Sequence, residues 1–221
     1  MPFKNRSAAG RQLAAALAEY QERAPIVLAL PRGGVPVAAE VATALKAPLD
    51  LVLVRKIGVP GQPELAMGAV ADGDSPVIVR NADIIRYAGV TEAEFDAICD
   101  KERAEIERRR NFYLGGRAPA VVSGRTVIVI DDGIATGATT RTALRALRAQ
   151  GAKELVLAVP VAAKETIEEL RAEADNIVCL EAPAWFQAVG AFYSDFRQVT
   201  DAEVVEILAR FANAPTSGAV E

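Results

Sequence analysis

The run Val127-Ile-Val-Ile130 places four branched apolar residues together, and Asp131 and Asp132 follow at once. Such a run reads as a strand buried on both faces, the mark of a parallel sheet interior. Two carboxylates at the mouth of that strand would cost stability unless they hold something. Beyond them lies a turn of small residues, Gly133 to Thr140, and then a helix-forming run, Arg141 to Gln150. A small-residue loop at a helix N-terminus points unpaired backbone N–H groups outward, which suits a phosphate dianion. The carboxylates would repel that phosphate. They suit neighbouring hydroxyls instead, and side by side they can hold two of them.

A phosphate beside a diol describes a ribose 5-phosphate. An ordinary strand-turn-helix with a Thr N-cap accounts for Thr136 or Thr139, but not for Asp131-Asp132. The stretch is not a Walker A loop, because no Lys follows Gly137, and the chain holds no G-x-G-x-x-G fingerprint. A hydrophobic strand, two acidic residues, two spacers and Ala-Thr-Gly-x-Thr resemble the ribose-phosphate signature of the type I phosphoribosyltransferases. The resemblance implies that Asp131 and Asp132 bind the 2- and 3-hydroxyls of phosphoribosyl pyrophosphate (PRPP). It implies that the loop formed by Gly133, Ala135, Thr136, Gly137, Ala138, Thr139 and Thr140 cradles the 5-phosphate. No cage of carboxylates is visible for a metal, so Mg²⁺ is expected to be held mainly through substrate oxygens.

Ile26 to Leu30 reads as a second buried strand, followed by Pro31-Arg32-Gly33-Gly34-Val35-Pro36 and an apolar helix, Val37 to Leu45. A Gly pair beside Arg lets backbone amides and a guanidinium approach an anion closely. This turn resembles the family's pyrophosphate loop. A third segment runs as a strand from Leu49 to Val54, ends in Arg55-Lys56, and continues through turn formers to a strand-like run, Ala66 to Ala71. It reads equally as the family's mobile loop, with Lys56 meeting the departing pyrophosphate, or as a surface hairpin with two solvated cations.

The 221 residues suit one α/β domain with an appendage, and the net charge is −4, from 25 basic and 29 acidic residues. Thr91 and Glu94 have capping-box spacing, so Thr91 to Leu114 reads as one helix and Arg108-Arg109-Arg110 as its solvated face. Nucleic acid is therefore not an expected partner. The chain contains no His, which removes Ser-His and Cys-His catalysis and His-ligated zinc. Cys99 and Cys179 are expected as buried free thiols. The N-terminal residues lack the apolar core and cleavage site of a signal peptide, and no apolar run approaches a membrane span. A cytoplasmic location is the expectation, and homo-oligomerisation stays open.

Strands and helices alternate from Glu154 to Val161, Lys164 to Ala174 and Asn176 to Leu180, with a fraying tail expected after Asn213. The predicted fold is a mostly parallel sheet of about five strands flanked by helices, with a small hood near residues 181–200. Ligands in such sheets collect at the carboxyl ends of the strands. The hood segment, Pro183 to Phe196, holds five of the twelve aromatic residues. It resembles the hood of purine phosphoribosyltransferases, where a ring stacks on the base. Trp185 is the candidate for that contact, while Phe186 and Phe192 are expected to cover the end of the sheet. Asp195 reads either as an acceptor from a base N–H or as a turn residue.

In the 6-oxopurine enzymes the position of Ala135 carries another Asp, so hypoxanthine and guanine become less favoured acceptors. The function that the resemblance implies is transfer of ribose 5-phosphate from PRPP to a small planar nitrogen base. Asp131, Asp132, Arg32 and Lys56 are its catalytic candidates. The alternative is a non-catalytic PRPP or nucleotide sensor on the same fold.

Overall fold

A computed structural model describes residues 2–73 and 76–212. In chain order the elements are α1 (Arg6–Ala16), a 3-10 turn (Ala18–Arg23), β1 (Ile26–Ala29), α2 (Gly34–Leu45), β2 (Leu49–Leu51), β3 (Val54–Val59), β4 (Gln62–Ala71) and β5 (Val77–Arg80). There follow α3 (Ala82–Ala88), α4 (Glu92–Leu114), β6 (Thr126–Ile130), α5 (Ala138–Ala149), β7 (Glu154–Val161) and α6 (Lys164–Leu170). The last elements are β8 (Asn176–Glu181), a 3-10 turn (Val189–Phe192) and α7 (Asp201–Ala209). The tail after Asn213 lies outside the described residues.

Five parallel strands form the central sheet in the order β2-β1-β6-β7-β8. Along β6, alternate side chains divide between the two faces. Ile128 and Ile130 join Val41 and Leu45 of α2 and Leu13 of α1 in one core cluster. Val127 and Val129 join Leu144 and Leu147 of α5 and Ile167 and Leu170 of α6 in the other. Both faces are dry, which is why the strand reads as an unbroken apolar run. Among the described residues no helix is long and apolar enough to cross a membrane.

Register places the functional turns. Ala29 pairs with Ile130, and the Leu30 N–H donates to the Ile130 carbonyl at 2.9 Å. The chain turns after β1 and β6 therefore leave the sheet side by side. From these two strands the order runs outward in opposite directions, to β2 on one side and to β7 and β8 on the other. Such a reversal opens a crevice at the strand ends.

Several boundaries differ from the sequence expectations. Helix α2 begins at Gly34, because Pro36 is tolerated in a first turn whose N–H groups have no partner. Helix α5 begins at Ala138, so Thr139 and Thr140 are already helical, and α6 ends at Leu170. Arg55 and Lys56 lie inside β3, which pairs antiparallel with β4 around a turn at Pro60-Gly61. That segment is a hairpin. Gly61, at φ +75°, supplies the backbone conformation the turn requires.

The reading of Arg108-Arg109-Arg110 as a solvated face is wrong for its last member. Helix α4 does start at the capping box, with Thr91 and Glu94 bonded reciprocally. Arg110, however, is buried and donates to Asp72 at 2.6 Å and to both oxygens of Asp50 at 3.0 and 3.2 Å. It ties α4 to the central sheet and to the segment leaving β4. Burial raises the Asp72 pKa despite that guanidinium. Arg110→Met leaves Asp72 without its cation and Asp50 with Arg117 alone, at 3.6 Å, and breaking a buried pair typically costs about 3–5 kcal/mol. Urea unfolding should register that loss, while Arg103→Met, an exposed neighbour on α4, should leave the unfolding midpoint nearly unchanged.

Candidate active site

The crevice between the ends of β1 and β6 collects most of the residues expected from sequence. Asp131 Oδ1 accepts the Asp132 N–H at 2.8 Å, which curls the chain immediately after β6. The turn after β1 comes so close that a Cβ on Gly33 would overlap the Asp132 carboxylate. A Cβ on Gly34 would lie 2.6 Å from the Ile130 carbonyl oxygen. Two glycines are therefore needed for the two turns to pass each other. The Pro31–Arg32 peptide is cis.

The loop after the carboxylates is anchored from below and open above. Ile134 is buried, its N–H donates to the Val161 carbonyl at 3.0 Å, and Thr166 Oγ1 donates to the Ala135 carbonyl at 2.6 Å. Gly137 caps α5 in the left-handed region at φ +70°, with no side chain bonded to the first turn. Ala135, Thr136, Ala138 and Thr139 are exposed there, while Thr140 is buried. Helix α5 thus presents its first N–H groups without a side-chain cap, the arrangement that suits a phosphate. The expected Thr N-cap alternative is not what forms. Gly133 is required by the hood, since a Cβ there would run into Val189.

On the opposite bank, Arg32, Arg108, Arg109, Phe112, Tyr113 and Asp201 line a cavity of about 390 Å³. Arg32 lies 3.6 Å from Asp201, which also accepts from the Tyr113 hydroxyl at 2.6 Å. Arg108 and Arg109 share Glu105, at 2.7 and 2.8 Å. Those hydrogen bonds, from Arg108 first and then Arg109, hold the Glu105 carboxyl down at about 2. Sequence reasoning passed over both arginines, because spacing shows a charged helix face without showing what the helix lies against.

Lys56 is not brought to this cavity. Its ammonium bonds to Glu64 at 3.0 Å within the β3–β4 hairpin. Arg55 is nearer: with Thr139, Pro31 and Arg109 it borders a small cavity of about 40 Å³, and it pairs with Glu102 at 2.6 Å.

The hood is built from two distant parts of the chain. Phe3 hydrogen-bonds through its backbone to Phe192 and Ser194, and Asp195 N–H donates to the Lys4 carbonyl at 3.0 Å. Phe186 and Phe192 stack at 5.7 Å between centroids and pack with Phe3, Ala9 and Val161 over the sheet end. Trp185 is 91% exposed and stands away from that cluster. Asp195 accepts the Arg197 N–H at 3.2 Å, a turn contact. The Tyr193 hydroxyl donates to the Asp132 carbonyl at 2.6 Å, joining the hood to the acidic pair. Burial, and then the Asp132 charge, push the Tyr193 pKa well up.

The chain belongs to the phosphoribosyl transferase domain family, whose model matches residues 3–197. It is 48% identical over 208 residues to "Putative phosphoribosyl transferase Rv0571c" of Mycobacterium tuberculosis H37Rv, and equally to MT0597 of strain CDC 1551. Those matches cover 94% of this chain but 46% of the relatives, so the chain spans about half their length. The crystal structure of TT1426 from Thermus thermophilus matches at 44% identity and a TM-score of 0.85, covering 96% of this chain and all of that one.

The acidic pair has a consequence for stability. Burial, and then the neighbouring Asp132 charge, raise the Asp131 pKa well above the usual carboxylate range. As pH rises past that range, the unfolded chain ionises Asp131 while the folded chain holds its proton. Stability is therefore lost with rising pH through this window. Asp131→Asn keeps the acceptor for the Asp132 N–H and removes the penalty. The variant should melt above the wild type at about pH 8, and the difference should shrink toward about pH 5 in calorimetric scans.

Proposed function

We propose that this chain transfers the ribose 5-phosphate group of PRPP to a nitrogen of a small planar base, releasing pyrophosphate. The observation that carries the reading is the pair Asp131 and Asp132 standing between an uncapped helix N-terminus and an arginine-lined cavity. The order matches the parts of the substrate: phosphate on the α5 amides, hydroxyls on the carboxylates, diphosphate toward Arg32. Catalysis in this reading is electrostatic. The carboxylates fix the ribose and oppose the positive charge that grows at its anomeric carbon as the bond to diphosphate breaks. Arg32, with Arg108 and Arg109 from α4, takes up the charge of the departing group.

Mg²⁺, held mainly through substrate oxygens, would supply further positive charge to the leaving group. Among the described residues no three His, Cys, Asp or Glu side chains come together to hold an ion. Lys56, which does not line the arginine cavity, is a weaker candidate for the diphosphate than the α4 arginines. The acceptor base lies toward the hood, where the exposed Trp185 offers a stacking face. Ala135 favours a base that needs no carboxylate at that position, such as an amino-substituted purine or a base with its own acidic N–H.

Pyrophosphate release from PRPP and Mg²⁺, followed with a panel of purine and pyrimidine bases, tests the reaction. Asp131→Asn and Asp132→Asn should each lower kcat/KM on the order of 10²-fold. Tight PRPP binding without turnover on any base would replace transfer with sensing. In the same assay, Arg108→Gln with Arg109→Gln should raise the KM for PRPP on the order of tenfold. The acceptor that stacks on Trp185 should quench its fluorescence in the presence of a PRPP analogue. Preferential quenching by hypoxanthine or guanine would contradict the argument from Ala135.

A further inference from the structure

In sequence, Arg6 is one arginine near the N-terminus, with no motif around it. In the fold its side chain is only 11% exposed and lies against the acidic pair. Nε donates to Asp132 Oδ2 at 2.7 Å, and Nη1 donates to the Arg197 carbonyl at 2.7 Å. The guanidinium carbon sits 3.9 Å above the centre of the Phe196 ring. Three elements therefore fix one cation: the first turn of α1, the hood ring and the chain leaving the hood. A planar guanidinium held in this way sets the orientation of a carboxylate far more tightly than a mobile ammonium does. Gly33 clears space for the same oxygen, Oδ2.

We propose that Arg6 is a positioning residue for the ribose site, committing Oδ2 of Asp132 to its guanidinium and so setting the plane in which that carboxylate meets the sugar. The inference rests on the reading of Asp131 and Asp132 as the ribose site. The charged and titratable groups facing the pair are Arg6 from α1 and Tyr193 from the hood. Arg197 contributes only its carbonyl, since its guanidinium is on Glu203 at 2.6 Å. The positive charge of Arg6 also eases the ionisation of Asp131, against burial and the Asp132 charge. Loss of Arg6 thus has a signature in pH that loss of packing alone lacks.

The test is ribose 5-phosphate binding to the full chain, measured calorimetrically from about pH 6 to pH 9 for the wild type, Arg6→Met and Arg6→Lys. Arg6→Met should weaken binding on the order of tenfold and move the acid limb of the profile to higher pH. Arg6→Lys keeps the charge and loses the planar fork, so its affinity should fall while its acid limb stays with the wild type. Binding by Arg6→Met as tight as the wild type, or tighter, would overturn the proposal. So would an equal loss at every pH that Lys does not relieve. If circular dichroism shows that Arg6→Met does not fold, Arg6→Lys decides, and wild-type affinity in that variant refutes the orienting role. A wild type that binds no ribose 5-phosphate removes the ribose reading as well. Binding by the wild type that is unaffected at Arg6 removes this inference alone.

Discussion

Two carboxylates side by side at the end of a fully buried strand lose solvation and repel each other, and the surrounding structure is organised around that cost. The Asp132 N–H bonds back to Asp131, and Arg6 reaches from α1 to Asp132. Gly33 and Gly34 let the neighbouring turn pass without crowding the pair. Tyr193 and the N-terminal strand-like contact of Phe3 bring the hood down beside it. None of these features is explained by packing of the sheet alone. Together they hold an acidic pair at the end of the sheet, which the proposed reading assigns to a ligand.

The electrostatic layout follows from the same constraint. An acidic centre lies between backbone amides at the start of α5 and a guanidinium cluster reaching from α4 and the turn after β1. In the proposed reading phosphate groups are repelled from the centre and drawn to both banks, which would set the direction in which a phosphorylated sugar lies. Glu105 holds Arg108 and Arg109 paired. In the proposed reading an arriving diphosphate competes for them with this one carboxylate, whose side chain is 26% exposed.

What the sequence made legible was local. The apolar run, the acidic pair and the small-residue loop are contiguous, so their placement at a strand end could be read from spacing, and the parallel sheet followed from the alternation of strands and helices. Arg6, Arg109 and Tyr193 were not legible in this way. Arg6 and Tyr193 reach Asp132, and Arg109 shares a cavity with Arg32, only because distant segments come together, such as the 126 residues that separate Arg6 from Asp132. Arg110 shows the same limit from the opposite side. Its helix face looks solvated by composition, yet Asp50 and Asp72 await it in the fold. The β3–β4 hairpin was read with equal weight as a loop or a hairpin, because Pro60-Gly61 and the flanking turn formers carry the same local signal in either case. Burial of Ile57 and Val59, which composition cannot report, marks the segment as strand.

The account depends on where a phosphorylated ribose lies, and a crystal structure of the protein with ribose 5-phosphate shows that directly. The phosphate should rest on the amides of the Ala135–Thr140 loop at the start of α5, with the 2- and 3-hydroxyls on Asp131 and Asp132 and the anomeric carbon facing Arg32. A sugar phosphate bound with its phosphate in the arginine cavity and no contact to the carboxylates would contradict it.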